Sequence, residues 1–279
     1  MGKNVSKSSL ARANQDRDYH IFEEYAYYLV SEARQKCANH IFKLGGNVYA
    51  FDSTTIDLCL SVFWWAKFRK KKGGIKVHTL YDVETQIPAF FHITEASVHD
   101  SKVMIEIPYE PSSYYIFDRG YNNFKMLYKI HQIEAYFVVR AKKNLQYKSI
   151  QWKRRLPKNV LSDASVLLTG FYPKQYYPKP LRLVKYWDEE QEREFTFITN
   201  AMHISALQVA ELYKNRWQVE LFFKWLKQHL KIKRFWGTTE NAVRIQIYAA
   251  ICAYCLVAII QHDMQLDRST YEVLQILSI

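Results

Sequence analysis

Between residues 46 and 143 three strand-like runs follow one another closely, and the chain then alternates helix, strand, helix and strand. This order narrows the fold more than anything else in the sequence. The runs "NVYAFDSTTIDLCL", "GIKVHTLYDV" and "IPAFFHITEA" are rich in β-branched and aromatic residues, as strands are. The basic turn "AKFRKKKGG" separates the first two, and the last two pair as a meander. After them "HDSKVMIEI" is expected as a short helix with Asp100 as its N-cap. "SYYIFDRGY" reads as a strand ending in a turn, "NNFKMLYKIHQ" as a helix and "AYFVVRAK" as a strand. Such an order predicts an α/β fold, a mixed sheet with helices on its faces.

On either side the pattern changes. Residues 1–45 read as a polar start followed by a helical segment, and 46–143 as the first part of the core. From 144 to 199 prolines and alternating aromatics ("FYPKQYYPKPLRLVKYW", "REFTFIT") point to a small β-rich insertion rather than further αβ units. "SALQVAELYKNRWQVELFFKWLKQHL" is expected as one long helix opened by Ser205, within a segment of 200–238. The segment 239–279 carries a last apolar helix from about 240 to 263. Hydrophobic residues make up 49% of the 279, enough for a sizeable core and against disorder over most of the length.

Charge suggests the partner. The chain carries a formal +12 with a pI near 9.3, which favours a polyanion, nucleic acid first and an anionic membrane second. Four cysteines in this length make no disulfide framework. Cys252 and Cys255 form C-x-x-C inside "IYAAICAYCLVAII" and read as buried helix residues. That run is expected to be too short to span a bilayer, so no membrane partner is expected. "MGKNVS" formally fits a myristoylation signal, without an apolar stretch behind it for secretion. A reducing, cytoplasmic setting fits best. "GGIK" lacks Walker A spacing, so no nucleotide cofactor is expected.

Three acids stand out. Asp52 lies inside the strand "YAFDST", Asp118 closes the strand "YYIFD", and Glu220 lies on the polar edge of the long helix. On one helix, Tyr213, Arg216, Glu220 and Lys227 fall within about 60° of one another. An acid within or at the end of an apolar strand is costly unless a charge pairs with it. A divalent cation would pair with both aspartates, and hard oxygen ligands suit Mg²⁺ or Mn²⁺. Each acid also has a plain structural explanation. Asp52 can bond a turn, Asp118 can pair with Arg119, and Glu220 with Lys224 four residues on. Taken singly these serve as well as metal does; together, on a basic chain, the acids favour the metal. Asp57, five residues from Asp52, faces the other way in a regular strand. His78 with His99-Asp100 would suit a metal phosphohydrolase only on an all-helical scaffold, and these residues lie among strands.

"FDST", "FDRGY" and the spacing Tyr213-(2)-Arg216-(3)-Glu220-(6)-Lys227 resemble bacterial insertion-sequence transposases of the DDE type, in the branch with the Y-(2)-R-(3)-E-(6)-K signature. The third motif is the specific one, with four residue types set over fifteen positions. The resemblance covers roughly residues 45 to 265. It implies a ribonuclease H-like mixed sheet flanked by helices, with the β-rich insertion before the last catalytic helix. Asp52, Asp118 and Glu220 would be the catalytic acids and hold two Mg²⁺ or Mn²⁺ ions. Tyr213, Arg216 and Lys227 would hold the end DNA. Lys67, Arg69, Lys70, Lys71 and Lys72 are candidates for phosphate backbone, a solvated loop being the alternative. Trp152 and Trp187 are candidates for stacking a flipped base, packing within the insertion being the alternative.

The implied function is cut-and-paste transposition by nicking, hairpin formation and resolution, and strand transfer. Its partners would be double-stranded DNA, both inverted-repeat ends and target, and a second copy of the chain on paired ends. The setting would be the bacterial cytoplasm, at the nucleoid. Relatives carry a longer N-terminal part than the 51 residues before Asp52, and "STYEVLQILSI" stops inside an apolar pattern. A truncated copy or one piece of a longer frame is therefore expected. Two other readings stay open: a non-catalytic DNA-binding remnant, and a ribonuclease H-like nuclease with another substrate.

Overall fold

The computed structural model describes residues 6–38, 42–69, 72–229, 235–268, 272–273 and 276, with the side chains of 67–69, 72 and 228–229 left out. Two compact units divide it. One comprises Met1–His40, Ser53–His99 and Val219–Ile279, the other Ile41–Asp52 and Asp100–Gln218.

The second unit holds most of the strands. The first half of β1 (Val48–Leu58) pairs in parallel with β5 (Tyr114–Phe117), and β5 in parallel with β6 (Tyr136–Arg140). Parallel strands need crossover connections. The crossover between β5 and β6 contains α3 (Phe124–Gln132), capped by Asn123, whose side chain accepts from the Met126 amide. Its Met126, Leu127 and Ile130 are buried, and the helix packs on β6. Tyr115, Ile116, Phe117, Phe137, Val138 and Val139 are fully buried, as expected where a parallel sheet is covered on both faces.

Residues 144–199 contain β7 (Tyr147–Trp152), β8 (Val160–Leu168), β9 (Leu181–Asp188) and β10 (Arg193–Thr199), with the short α4 (Phe171–Tyr176) between β8 and β9. They are not a separate layer. Strand β10 runs antiparallel to β6, with Phe197 opposite Arg140, so the order continues β1-β5-β6-β10-β9-β8-β7. We retain 144–199 as a proposed insertion on sequence grounds.

Three expected elements are corrected. "AKFRKKKGG", expected as a basic turn, places Lys67–Arg69 in a short strand and Lys72 at the start of another. "HDSKVMIEI" forms a 3-10 turn, Asp100–Ile105, with Asp100 as its first residue. The long helix from Ser205 is two helices, α5 (Ala206–Lys214) and α6 (Trp217–His229). Ser205 does open α5, in a capping box with Gln208.

In the first unit β2 (Lys67–Arg69) and β4 (Ile87–Glu95) each pair antiparallel with β3 (Lys72–Asp82), and the order is β2-β3-β1, with β4 on β3. Helix α2 (His20–Lys36) packs on β4 and on α7 (Glu240–Asp263), and α1 (Lys7–Asp16) packs on α7. Cys252 and Cys255 are buried in α7 as unpaired thiols. The expectation that this apolar run is too short for a bilayer does not hold. Helix α7 has 24 residues, with a mean hydropathy of 2.0 over its most apolar stretch, and is long and apolar enough to cross one. The contiguous apolar letters understate the helix, because polar residues at its ends extend it. Within the fold 61% of that stretch is buried.

Candidate active site

Register brings the two aspartates together. Strands β1 and β5 pair Val48 with Tyr114 and onward to Phe51 with Phe117. The next residues on the two strands are Asp52 and Asp118. Neighbouring strands lie about 4.8 Å apart, and successive side chains alternate between faces. Phe51 and Phe117 are fully buried, with ring centroids 6.1 Å apart. Both aspartates, half-buried, therefore turn to the opposite face.

Half-buried carboxylates call for partners. Arg216 Nη1 donates to Asp52 Oδ2 at 2.7 Å, and Tyr121 Oη to Asp52 Oδ1 at 3.5 Å. Tyr213 Oη donates to Asp118 Oδ1 at 3.0 Å. Arg119, the sequence neighbour of Asp118, is exposed and makes no ion pair with it among the described residues.

The break between α5 and α6 delivers Tyr213 and Arg216. The Arg216 amide donates to Tyr213 O at 3.1 Å, and the Gln218 amide to Asn215 O at 3.1 Å. These are i to i−3 bonds. In such a turn residues three apart eclipse, so Tyr213 and Arg216 project from one side, the guanidinium 5.8 Å from the phenol ring. The shared edge expected on a continuous helix is thus replaced, for these two residues, by a tightened turn.

Phe197 lies 4.7 Å from the Tyr213 ring and Phe195 5.8 Å. Burial pushes the Tyr213 phenol up to about 12; Arg216 opposes this and the Asp118 charge adds to it. The folded chain thus keeps a proton that the unfolded chain releases near pH 10. The phenol's contribution to stability is complete below pH 10 and lost between pH 10 and about 12. Tyr213→Phe is expected to flatten the fall in unfolding free energy across that window, read by denaturant unfolding at stepped pH. An unchanged slope counts against a buried, protonated phenol.

A cavity of about 840 Å³ opens here, lined among others by Asp118, Arg140, Arg193, Phe195, Tyr213, Arg216 and Trp217. Two carboxylates side by side, one within β1 and one just after β5, suit a hard divalent cation. Among the described residues nothing donates to Asp118 Oδ2, while Asp52 Oδ2 already holds Arg216. No group of three or more His, Cys, Asp or Glu side chains gathers as a metal site among the described residues. The donor set in this unit is therefore the aspartate pair.

Glu220 is exposed and Lys227 half-buried on α6, both in the first unit. Trp152 on β7 is 62% exposed and lines a cavity of about 480 Å³ with His131, Lys153 and Lys179. Trp187 on β9 is 39% exposed and sits opposite Glu194. Lys67 and Arg69 fall on β2 and Lys72 on β3, with side chains not described; Lys70 and Lys71 lie outside the described residues. Sequence reasoning missed Tyr121, whose signal was its place in "FDRGY". It also missed Arg140 and Arg193, whose guanidinium carbons lie 4.9 and 4.4 Å from the Phe195 ring centroid; only strand pairing brings them together.

The family described as Transposase DDE domain matches residues 43–256. A protein of Sinorhizobium fredii named as transposase y4zB is 37% identical over 80% of this chain and 63% of its own length. One of Geobacillus stearothermophilus, named as the transposase for insertion sequence element IS5377, is 27% identical over 89% of this chain and 66% of its own length. The chain thus spans less than two thirds of either relative. Among solved structures, the piggyBac transposase synaptic complex with hairpin DNA aligns with 82% of this chain and 51% of its own at 12% identity and a TM-score of 0.49.

Proposed function

The chain belongs to the transposase DDE-domain family, and on that premise we propose that it carries the catalytic centre that cuts and joins the DNA of an insertion sequence. One observation carries this reading. Asp52 and Asp118 stand side by side across two parallel strands, each engaged by a residue of the Y-(2)-R-(3)-E-(6)-K spacing. Glu220 and Lys227 join them by their place in that spacing, and in this reading the chain falls in that branch.

Asp52, Asp118 and Glu220 would hold Mg²⁺ or Mn²⁺, two ions in this reading, which when bound supply activation of the attacking oxygen and charge stabilisation at the leaving one. The chain's own residues position the DNA. Arg216 offers a planar fork of donors suited to phosphate, and neutralises Asp52 until a phosphodiester arrives. Tyr213, with its phenol pushed up to about 12, keeps its proton at working pH. It can therefore serve as a hydrogen-bond donor, as it does to Asp118 Oδ1 at 3.0 Å.

The steps in this reading are a nick that frees a 3′-OH, attack of that hydroxyl on the opposite strand to form a hairpin, reopening, and transfer to target DNA. Two copies of the chain would act on paired ends. Trp152 suits a flipped base better than Trp187. It is the more exposed, and it stands at a cavity with His131, Lys153 and Lys179 beside it.

The test is to sequence the DNA on both sides of the reading frame for inverted repeats and to assay cleavage of linear DNA bearing them, with Mn²⁺ present. The expected result is nicking at the repeat boundary, abolished by chelation. Binding without cutting supports the remnant instead, and cutting indifferent to the ends supports a nuclease of another kind.

A further inference from the structure

The second unit carries a basic cleft that the site above does not account for. It has a volume of about 320 Å³, and Arg119, Arg140, Lys142, Lys143 and Lys185 line it. Glu194 is the acid in its lining, and it pairs with Lys185 at 3.7 Å. Among the described residues no carboxylate pairs with Arg119, Arg140, Lys142 or Lys143. Like charges gathered in one concavity repel, and an anion seated there offsets that repulsion.

The cleft is built, not incidental. Arg119 opens the 3-10 turn that follows Asp118, and Arg140 ends β6. A single side chain ties the two backbones together: Asn122 Nδ2 donates to Arg119 O and to Arg140 O, each at 2.8 Å. The Ala141 amide bonds Thr196 O at 2.8 Å, so the chain leaves β6 at a fixed point and presents Lys142 and Lys143 from there. Lys185 on β9 stands opposite Thr196 on β10. Arg140 also lines the cavity that holds Asp118 and Tyr213, so the two concavities share a wall.

We propose that this cleft binds the sugar–phosphate backbone of DNA, taking phosphates next to the one presented to Asp52 and Asp118. The choice of DNA rests on the transposase reading. The contact reads no sequence, because phosphates carry none. Its residues are distinct from the basic run at 67–72 and from the signature residues.

The test is binding of the full chain to two duplexes of unrelated sequence, titrated with KCl without divalent metal. Removing a lysine–phosphate contact lowers the slope of log K against log salt by about 1. Lys142→Ala/Lys143→Ala is therefore expected to lower it by about 2 on both duplexes. Both lysines are exposed, and a melting curve checks that the variant folds. Lys148→Ala/Lys174→Ala removes the same charge from exposed positions outside the cleft and is expected to move the slope far less. An unmoved slope, a fall matched by the control pair, or no DNA binding by the wild type overturns the cleft. A wild type that cuts DNA at its ends while the slope stays put removes the cleft and leaves the transposase reading standing. A falling slope in a chain that never cuts does the reverse.

Discussion

Asp118→Asn is expected to lower Mn²⁺-dependent DNA cleavage by about a thousandfold or more, equivalent to roughly 4 kcal/mol of barrier, and to leave the fold in place. The substitution keeps the shape and an oxygen that can accept from Tyr213 Oη, which now donates to Asp118 Oδ1 at 3.0 Å. What it removes is the charge beside Asp52. A neutral amide is a poor ligand for a hard divalent ion, so loss of cleavage with an unchanged melting temperature marks a metal-binding role. Cleavage at the wild-type rate would remove Asp118 from the catalytic set. A collapsed melting temperature would instead make the residue structural, through its tie to α5.

The largest effect on stability is expected at Arg182, far from any motif. This guanidinium is 2% exposed and Asp163 is 4% exposed. Arg182 Nε and Nη2 donate to the two Asp163 oxygens at 2.7 Å each, and Nη1 donates to Ile204 O at 2.6 Å and Ala201 O at 3.3 Å. The side chain thereby fastens β8 and β9 to the segment that leads into α5, the helix that carries Tyr213. Among the described residues, Arg182→Met leaves Asp163 buried with only Lys153, at 3.1 Å, as its cation. A loss of about 3–5 kcal/mol is expected, as for other broken buried pairs, measured by urea unfolding. The double variant Arg182→Met/Asp163→Leu is expected to recover much of it, because no uncompensated charge then remains. A single variant as stable as the wild type would show the pair to be dispensable.

The same pair responds to acid. Burial pushes the Asp163 carboxyl up, but its bonds to Arg182, aided by Lys153, outweigh this and hold it below its ordinary value of 3.8. The folded state therefore binds that proton less readily than the unfolded chain. The pair's contribution is complete above pH 3.8 and is lost as pH falls through the folded pKa.

Much of the fold was legible. Strand runs such as "YYIF" and "YFVV" bury every residue, or all but one, and a continuous apolar run reads as a covered strand wherever it lies. Ser205 announced a helix start, and it caps α5. The aspartates were legible for a related reason. A charge set in or against an apolar strand is a local anomaly, visible without knowing which strand lies next to it. The break at Asn215–Arg216 was not legible, because apolar periodicity runs through it and neither proline nor glycine interrupts the letters. The bounds of α7 were legible, since the apolar helix expected over about 240 to 263 is Glu240–Asp263.

By itself, then, the sequence determined the order of strands and helices and marked the acids and cations out of place in that order, since both depend on neighbours along the chain. Tertiary structure alone decided that Asp52 and Asp118 are adjacent, that a tightened turn aims Arg216 and Tyr213 at them, and that Arg119, Arg140 and Lys185 share one cleft. Those outcomes depend on strand register and on how a turn closes. Register is set by pairing between segments tens of residues apart, and a slip of one residue would send each side chain to the opposite face.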